Sequence, residues 1–151
     1  MKIIYKDETI IFYIKDNLID IKDKKELEIY LKKLIVLLKK KKIDIKSGLY
    51  LARIYENKKF GLIIEVENIE ELELFNDMID LKILIYDNVE IYLKMSDYFL
   101  IMDVDKLYLD EYYYVNIDTI DNHKLIYLSE FCEYVYGDEL ESILKHAKKV
   151  N

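Results

Sequence analysis

The chain of 151 residues contains no proline and only three glycines, and this scarcity restricts what it can build. Gly-rich phosphate-binding loops need several glycines in a short run, and flexible linkers are rich in Gly and Ser. Here the glycines are isolated, at Gly48, Gly61 and Gly137. Collagen-like segments, flexible linkers and Gly-rich nucleotide loops are therefore excluded.

Alternating apolar segments separated by short polar turns predict β-strands and hairpins. KIIY and TIIFYI flank Asp7 and Glu8, and LYLARIY and FGLIIEV flank residues 56–59. KILIY and VEIYLK flank Asp87 and Asn88, a plausible two-residue turn without the favoured glycine. YFLIM, KLYL, YYYVNI and HKLIYL follow at the spacing of an antiparallel meander, and FCEYVY, at 131–136, alternates as a further strand.

Three segments carry a helix-start pattern, in which Asp or Asn is followed three residues later by Glu. The first side chain accepts hydrogen bonds from free amides of the first turn, and the Glu bonds back. The pairs are Asp23 with Glu26, Asn68 with Glu71, and Asp138 with Glu141. Behind them we expect a helix that ends near Lys40, a short helix from Ile69 to about Met78, and a last helix with apolar residues spaced for one face. These last residues are Leu140, Ile143, Leu144 and Ala147.

The predicted fold is α+β, an antiparallel β-sheet with about three helices packed on it. At this length one compact domain, 1–151, is expected, with an internal duplication into about 1–68 and 69–151 as a further expectation. We expect the first and last helices to cover one face of the sheet. The residues that would do so are Leu31, Leu34, Leu38, Leu140, Ile143 and Leu144.

Cysteine usage and hydropathy predict the compartment. A single cysteine, Cys132, cannot form an internal disulfide, which favours a reducing interior. Asp7 and Glu8 interrupt the N-terminus before an apolar run long enough for a signal peptide. No stretch approaches the roughly 18 apolar residues of a membrane span. We therefore expect a cytoplasmic protein with no membrane contact.

The net charge of −7 disfavours nucleic acid as a partner, because phosphate neutralisation needs a positive surface. The charge is uneven along the chain. Residues 22–42 contain nine Lys against three acids, and residues 85–121 contain nine acids against two Lys. The lysine-rich segment is expected to be a structural helix whose basic end suits the helix dipole.

The sequence contains few of the residue combinations that are typical of catalytic or metal-binding sites. Cys132 lies in an alternating strand between Glu130 and Glu133, which would raise its pKa, and His146 lies at a helix end. One Cys and two His offer no metal-binding spacing, and the acids at 97–111 lack the spacing and the glycine of a calcium loop. The sequence predicts no enzyme, no cofactor and no metal.

The tyrosine-rich segment between Tyr86 and Tyr114 is the candidate interaction surface. In Tyr112-Tyr113-Tyr114 alternate rings point to opposite faces of a strand, so at least one leaves the core unless both faces are covered. Tyrosine is enriched in interfaces, and acids surround this strand. The predicted partner-binding residues are Tyr108, Asp110, Glu111, Tyr112, Tyr114, Asp103 and Asp105.

The segment LSEFCEYVYGDELESILKHA, at 128–147, resembles the C-terminal end of MecA-type adaptor proteins, where a strand with a Leu-x-Glu-aromatic pattern runs into a final amphipathic helix. SGLYLARIYENKKFGLIIEV, at 47–66, is similar to the strand pair that closes their N-terminal domain. IEELELFNDMIDLKILIYDNVEIYL, at 69–93, is similar to the start of their C-terminal domain. The residues that match at the C-terminus are Leu128, Glu130, Phe131, Leu140, Ile143, Lys145 and His146.

This resemblance implies a non-catalytic adaptor that delivers substrate proteins to a Clp-type AAA+ unfoldase and protease. The chain departs from the family by lacking an acidic linker and by showing strands at 106–117. The expected partner is a protein, either the unfoldase or its substrate. Assembly into a homo-oligomer is a further possibility. Alternatives are an acidic inhibitor that mimics nucleic acid, with Asp97 among its acids, a small enzyme, and a small subunit of a larger assembly.

Overall fold

A computed structural model describes residues 1–15, 19–71 and 79–150. Within these ranges the chain forms three α-helices and ten strands, and the strands form two five-stranded sheets. This confirms the predicted α+β class. The chain divides into two compact units, Met1–Asp87 and Asn88–Asn151. Residue 68, the expected end of the first repeat, lies inside a strand of the first unit. The single domain and the duplication stay predictions.

The first unit begins with two hairpins at the predicted positions. β1 (Lys2–Lys6) pairs with β2 (Thr9–Lys15), and α1 (Lys24–Lys40) follows. β3 (Gly48–Asn57) then pairs with β4 (Gly61–Glu71). The Asn57 side chain, which is buried, accepts from the amides of Lys59 and Phe60 at 2.9 Å each and so holds the second turn together.

The last strand of this unit, β5 (Ile79–Tyr86), pairs in parallel with β3, and the sheet order is β1-β2-β4-β3-β5. β4 ends where β3 begins, and β5 starts at that same end on the other side of β3. The predicted hairpin of KILIY with VEIYLK is therefore wrong. β5 instead places Ile79, Leu81 and Ile83 against the core of the first unit.

The helix α1 begins and ends at the predicted residues, although the Asp23 amide donates to the Asp20 carbonyl at 3.1 Å where a bond to Glu26 was expected. The Asp23 carboxylate accepts from the amides of Lys25 and Glu26 at 3.1 and 3.2 Å, and Lys39 and Lys40 occupy the negative end of the helix dipole. Its apolar face packs on one face of the first sheet. The helix residues in that core are Leu27, Leu31, Leu34 and Leu38.

The predicted helix from Ile69 is wrong in the part that the structure describes. Asn68–Glu71 belong to β4, where Asn68 pairs with Tyr50 and Glu71 pairs with Gly48. Pairing with a neighbouring strand satisfies the backbone that a capping box would otherwise serve, so tertiary context overrides the local signal. Residues 72–78, the rest of the predicted helix, lie outside the described ranges.

The second unit contains β6 (Tyr92–Met95), a 3-10 helix (Tyr98–Ile101), β7 (Lys106–Leu109) and β8 (Tyr112–Asn116). A second 3-10 helix (Ile117–Thr119) leads to α2 (Asn122–Ser129) and β9 (Glu133–Val135). The unit finishes with α3 (Gly137–His146) and β10 (Lys148–Val150). The sheet is antiparallel throughout, in the order β10-β7-β8-β6-β9.

Two predicted strands of this unit are helical, and a side chain just before each one caps it. YFLIM holds the first 3-10 helix, and the Asp97 carboxylate accepts from the Phe99 amide at 2.9 Å. HKLIYL lies in α2, and the Asp121 carboxylate accepts from the Lys124 amide at 2.7 Å. Of the predicted strand at 131–136, only β9 forms.

The last helix α3 forms where expected but packs differently. Tyr136 is its N-cap and makes no side-chain capping bond, so the predicted capping role of Asp138 is wrong. Leu140 and Ile143 pack on the second sheet with Tyr114 and Val135, whereas α1 packs on the first sheet. The expectation that both helices cover one face is therefore wrong, and Leu144 is exposed.

None of the helices in the described ranges is both long enough and apolar enough to cross a membrane.

Candidate functional site

The second sheet is covered on both faces, and this decides which of its tyrosines are buried. Tyr114 lies under α3, is only 4% exposed and has a phenol whose pKa burial raises. Tyr113 points to the other face, where its ring lies 5.6 Å from that of Tyr98 in the first 3-10 helix. Tyr112 shares a face with Tyr114 but lies at the strand end, where it is exposed beneath the Lys94 ammonium at 4.2 Å.

The predicted interaction residues do not form one surface. Tyr108 and Tyr112 are both exposed, but they lie on opposite faces, because Tyr108 stands opposite Tyr113 in the register of β7 with β8. Asp110 and Glu111 form the turn between them. Tyr114 belongs to the core and is not available to a partner, so its inclusion in the predicted surface is corrected.

The two remaining predicted residues lie in the loop between the first 3-10 helix and β7. Both Asp103 and Asp105 are exposed. Asp103 forms an ion pair with Lys124 of α2, and the hydrogen bond from Lys124 lowers the pKa of the Asp103 carboxyl. This ion pair links the loop to α2.

The first 3-10 helix and α2 cover the same face of the second sheet. Besides the ring contact of Tyr98, the Lys106 ammonium on this face donates to the Ile101 and Val104 carbonyls at 3.1 and 3.0 Å. At the other end of the face, the Tyr134 side chain hydrogen-bonds Ser129, the last residue of α2. Tyr113 and Tyr134 share this face, because each lies opposite a residue of the row Leu93, Met95 of β6.

This layer exposes a group of large apolar side chains, which we call the aromatic layer. Phe99 is 80% exposed and Phe131, which follows α2, is 61% exposed. The Phe131 ring lies 5.3 Å from that of Tyr127. The exposed members of the aromatic layer are Tyr98, Phe99, Met102, Ile126, Tyr127 and Phe131.

The aromatic layer was not predicted, because its segments were expected to be strands, whose side chains alternate between core and solvent. Two signals could have revealed it. Asp97 and Asp121 stand just before apolar runs, the position of a helix cap, and the run YFLIM shows no polar alternation.

The charge of the protein is concentrated in the second unit. Residues 88–151 hold thirteen acids against six lysines, a net charge of −7, whereas residues 1–87 hold seventeen of each sign. The aromatic layer therefore lies on the unit that carries the whole net negative charge, and a basic partner would be attracted to it.

The Cys132 and His146 side chains are placed for structure. Burial raises the pKa of the Cys132 thiol to about 11, so it is protonated at neutral pH and is not an activated nucleophile. The His146 Nδ1 donates to the Ser142 carbonyl, 2.9 Å away on its own helix. In the part of the chain that the structure describes, no three His, Cys, Asp or Glu residues form a group that could hold a metal ion.

No protein-family model, curated protein or solved structure matches the chain. The resemblance to MecA-type adaptors therefore stays a prediction. One of its segments has a different structure from the expected one, since Leu128 lies in α2 and Phe131 in the turn after it, where a strand was expected.

Proposed function

We propose that this protein is a non-catalytic adaptor or regulatory protein, and that it binds a protein partner through the aromatic layer of its second unit. One observation carries the proposal. Two phenylalanines and four other large apolar side chains are exposed on, or just after, the two helical segments that cover one face of the second sheet.

Scattered apolar residues are ordinary, but aromatic residues concentrated in one layer mark interaction sites. Interface cores are enriched in Phe, Tyr and Met. The aromatic layer supplies residues of all three types, among them Phe99, Met102, Tyr127 and Phe131. In a complex, Phe99 and Phe131 would be the anchors, because each offers a whole ring to a pocket on the partner.

The helical layer is attached firmly enough to present these anchors in a fixed geometry. Lys106 binds the carbonyls of Ile101 and Val104, and Lys124 pairs with Asp103. A preorganised surface loses less entropy on binding than a mobile one. The net charge of −7 on this unit favours a partner with a basic surface, which would speed association at low salt.

Quantitative affinity capture from the source organism tests the proposal. The wild type is compared with a Phe99→Ser, Phe131→Ser double variant, which removes the anchors without touching the core. The matched control is Ile29→Ser with Val36→Ser, because these side chains are exposed on α1 of the first unit. We expect one dominant partner that the anchor variant loses at least about tenfold and the control retains.

The identity of the captured protein separates the adaptor from other regulatory roles. If it is a Clp-type AAA+ unfoldase, or a protein whose degradation by such a protease needs this chain, the adaptor role is supported. Capture that is equal for the wild type and the anchor variant, with circular dichroism spectra unchanged, would refute binding through the aromatic layer.

A further inference from the structure

β5 lies at the end of the first sheet and has one unpaired edge. All its residues from Ile79 to Tyr86 pair with β3 on one side, and no strand in the described ranges pairs with the other side. Such an edge presents a row of backbone N–H and C=O groups that can pair with another chain. The opposite edge, β1, is only five residues long and has a lysine at each end, which are features that block pairing.

The edge at β5 is longer, carries its two charged side chains, Asp80 and Lys82, on one face only, and leaves the core partly open. Six of its eight side chains are apolar, and it contains neither proline nor a bulge. Leu81 and Ile83 are only half-buried, whereas Tyr50 and Ala52, which stand opposite them on β3, are buried. A further strand beside β5 would cover these apolar side chains.

We propose that this strand is β5 of a second copy of the chain, paired antiparallel around a two-fold axis at Leu81. Leu81 then stands opposite Leu81 of the other copy, and Ile79 stands opposite Ile83. On the other face, Asp80 of each copy stands opposite Lys82 of the other, so the pairing contains two opposite-charge pairs. The first sheet of one copy and the first sheet of the other then form one continuous sheet.

Charge complementarity selects this register over its neighbours. A slip of one residue would set the charged side chains of one copy against the apolar row of the other. A two-fold axis at Asp80 or at Lys82 places that charged residue opposite the same residue of the other copy. An axis at Ile83 places Lys82 opposite Leu84. The axis at Leu81 pairs both charges.

Sedimentation equilibrium across about 1 to 500 µM, the range of weak dimers, tests the pairing. We expect the wild type to reach twice the monomer mass of 18.3 kDa. Lys82→Glu places Glu opposite Asp80 twice, and it should raise the dimer dissociation constant at least about tenfold. Adding Asp80→Lys to that variant reverses both charges and should restore the dimer. Lys33→Glu, the same charge change on the exposed face of α1, is the control.

Cysteine cross-linking checks the register independently. A mixture of Asp80→Cys and Lys82→Cys chains should form a disulfide-linked dimer under mild oxidation, and the buried Cys132 should not compete. A wild type that stays monomeric throughout, a double variant that does not recover, or efficient cross-linking of Lys82→Cys with itself would each overturn the proposal. None of these results depends on the aromatic layer, so the two proposals fail separately.

Discussion

Replacing the buried lysine of the second unit should cost far more stability than replacing a half-buried one that makes a similar ring contact. Lys106 is 2% exposed, and its ammonium donates to the Ile101 and Val104 carbonyls and lies 4.8 Å from the centre of the Tyr98 ring. Lys106→Met keeps the aliphatic stem but removes all three interactions.

The magnitude follows from the contacts. A hydrogen bond from a charged group contributes about 1.5–3 kcal/mol, so two contribute roughly 3–6 kcal/mol. The ring contact adds about 1 kcal/mol. Burying the ammonium has a desolvation cost of several kcal/mol that the methionine avoids. The net loss should be about 2–3 kcal/mol of unfolding free energy, a difference between these opposing effects.

Lys94→Met is the matched control, because Lys94 lies in the same sheet, 4.2 Å from the centre of the Tyr112 ring, but is only half-buried. Its replacement should cost about 0.5 kcal/mol. Urea unfolding followed by circular dichroism measures both variants, and hydrogen exchange at residues 98–109 assigns the loss to the second unit. Equal costs for the two variants would contradict the role given to the carbonyl contacts of Lys106.

The further predictions concern three single positions. Gly48→Ala should lower the free energy of unfolding by about 2–4 kcal/mol in urea titration, because a Cβ would lie 2.0 Å from the Glu70 carbonyl oxygen at a φ of +150°; an unchanged midpoint would contradict this close approach. Glu111→Gly should raise the free energy of unfolding by about 0.5–1 kcal/mol. Asp110 and Glu111 both have positive φ, at 49° and 73°, and glycine adopts this conformation without strain. The Cys132 thiol should react with a disulfide reagent at pH 8 about 100-fold more slowly in the folded chain than in urea, because burial raises its pKa from 9.0 to about 11. Since the folded state keeps a proton that the unfolded state loses, this thiol should also make stability fall between about pH 9 and pH 11, and a stability that rises there would contradict the assignment.

Features that depend on nearby residues were predictable. The hairpins of β1 with β2 and of β3 with β4 form as expected, because the turn and the alternation of side chains lie within one short segment. The start of α1 was predictable for the same reason, since the Asp23 side chain reaches its own first turn. Asp97 and Asp121 cap their helices in the same way, so the two short helical segments were within reach of the sequence too.

The pairing of strands from different parts of the chain was not predictable in this way. KILIY has the same alternation whether it pairs with the next strand or with β3, and the parallel pairing follows from where β4 ends. Asn68 to Glu71 fit both a helix cap and a strand end, and the neighbouring β3 decided between them.

The exposure of the candidate site residues depends on the elements around them. The alternation in Tyr112-Tyr113-Tyr114 correctly indicates opposite directions, but only α3 buries Tyr114, and only the strand end leaves Tyr112 in solvent. The aromatic layer likewise exists because two helical segments cover the same face of the second sheet.

The sequence by itself determined the α+β class, two hairpins, the start of α1 and the position of α3. These features rest on short-range hydrogen bonds and on the period of the apolar residues, both of which are written into adjacent positions. The tertiary structure alone decided which sheet each strand joins, which helix covers which face, and which aromatic rings remain in solvent. Burial is set by neighbours that can lie far away along the chain, so it cannot be predicted from the residue type alone.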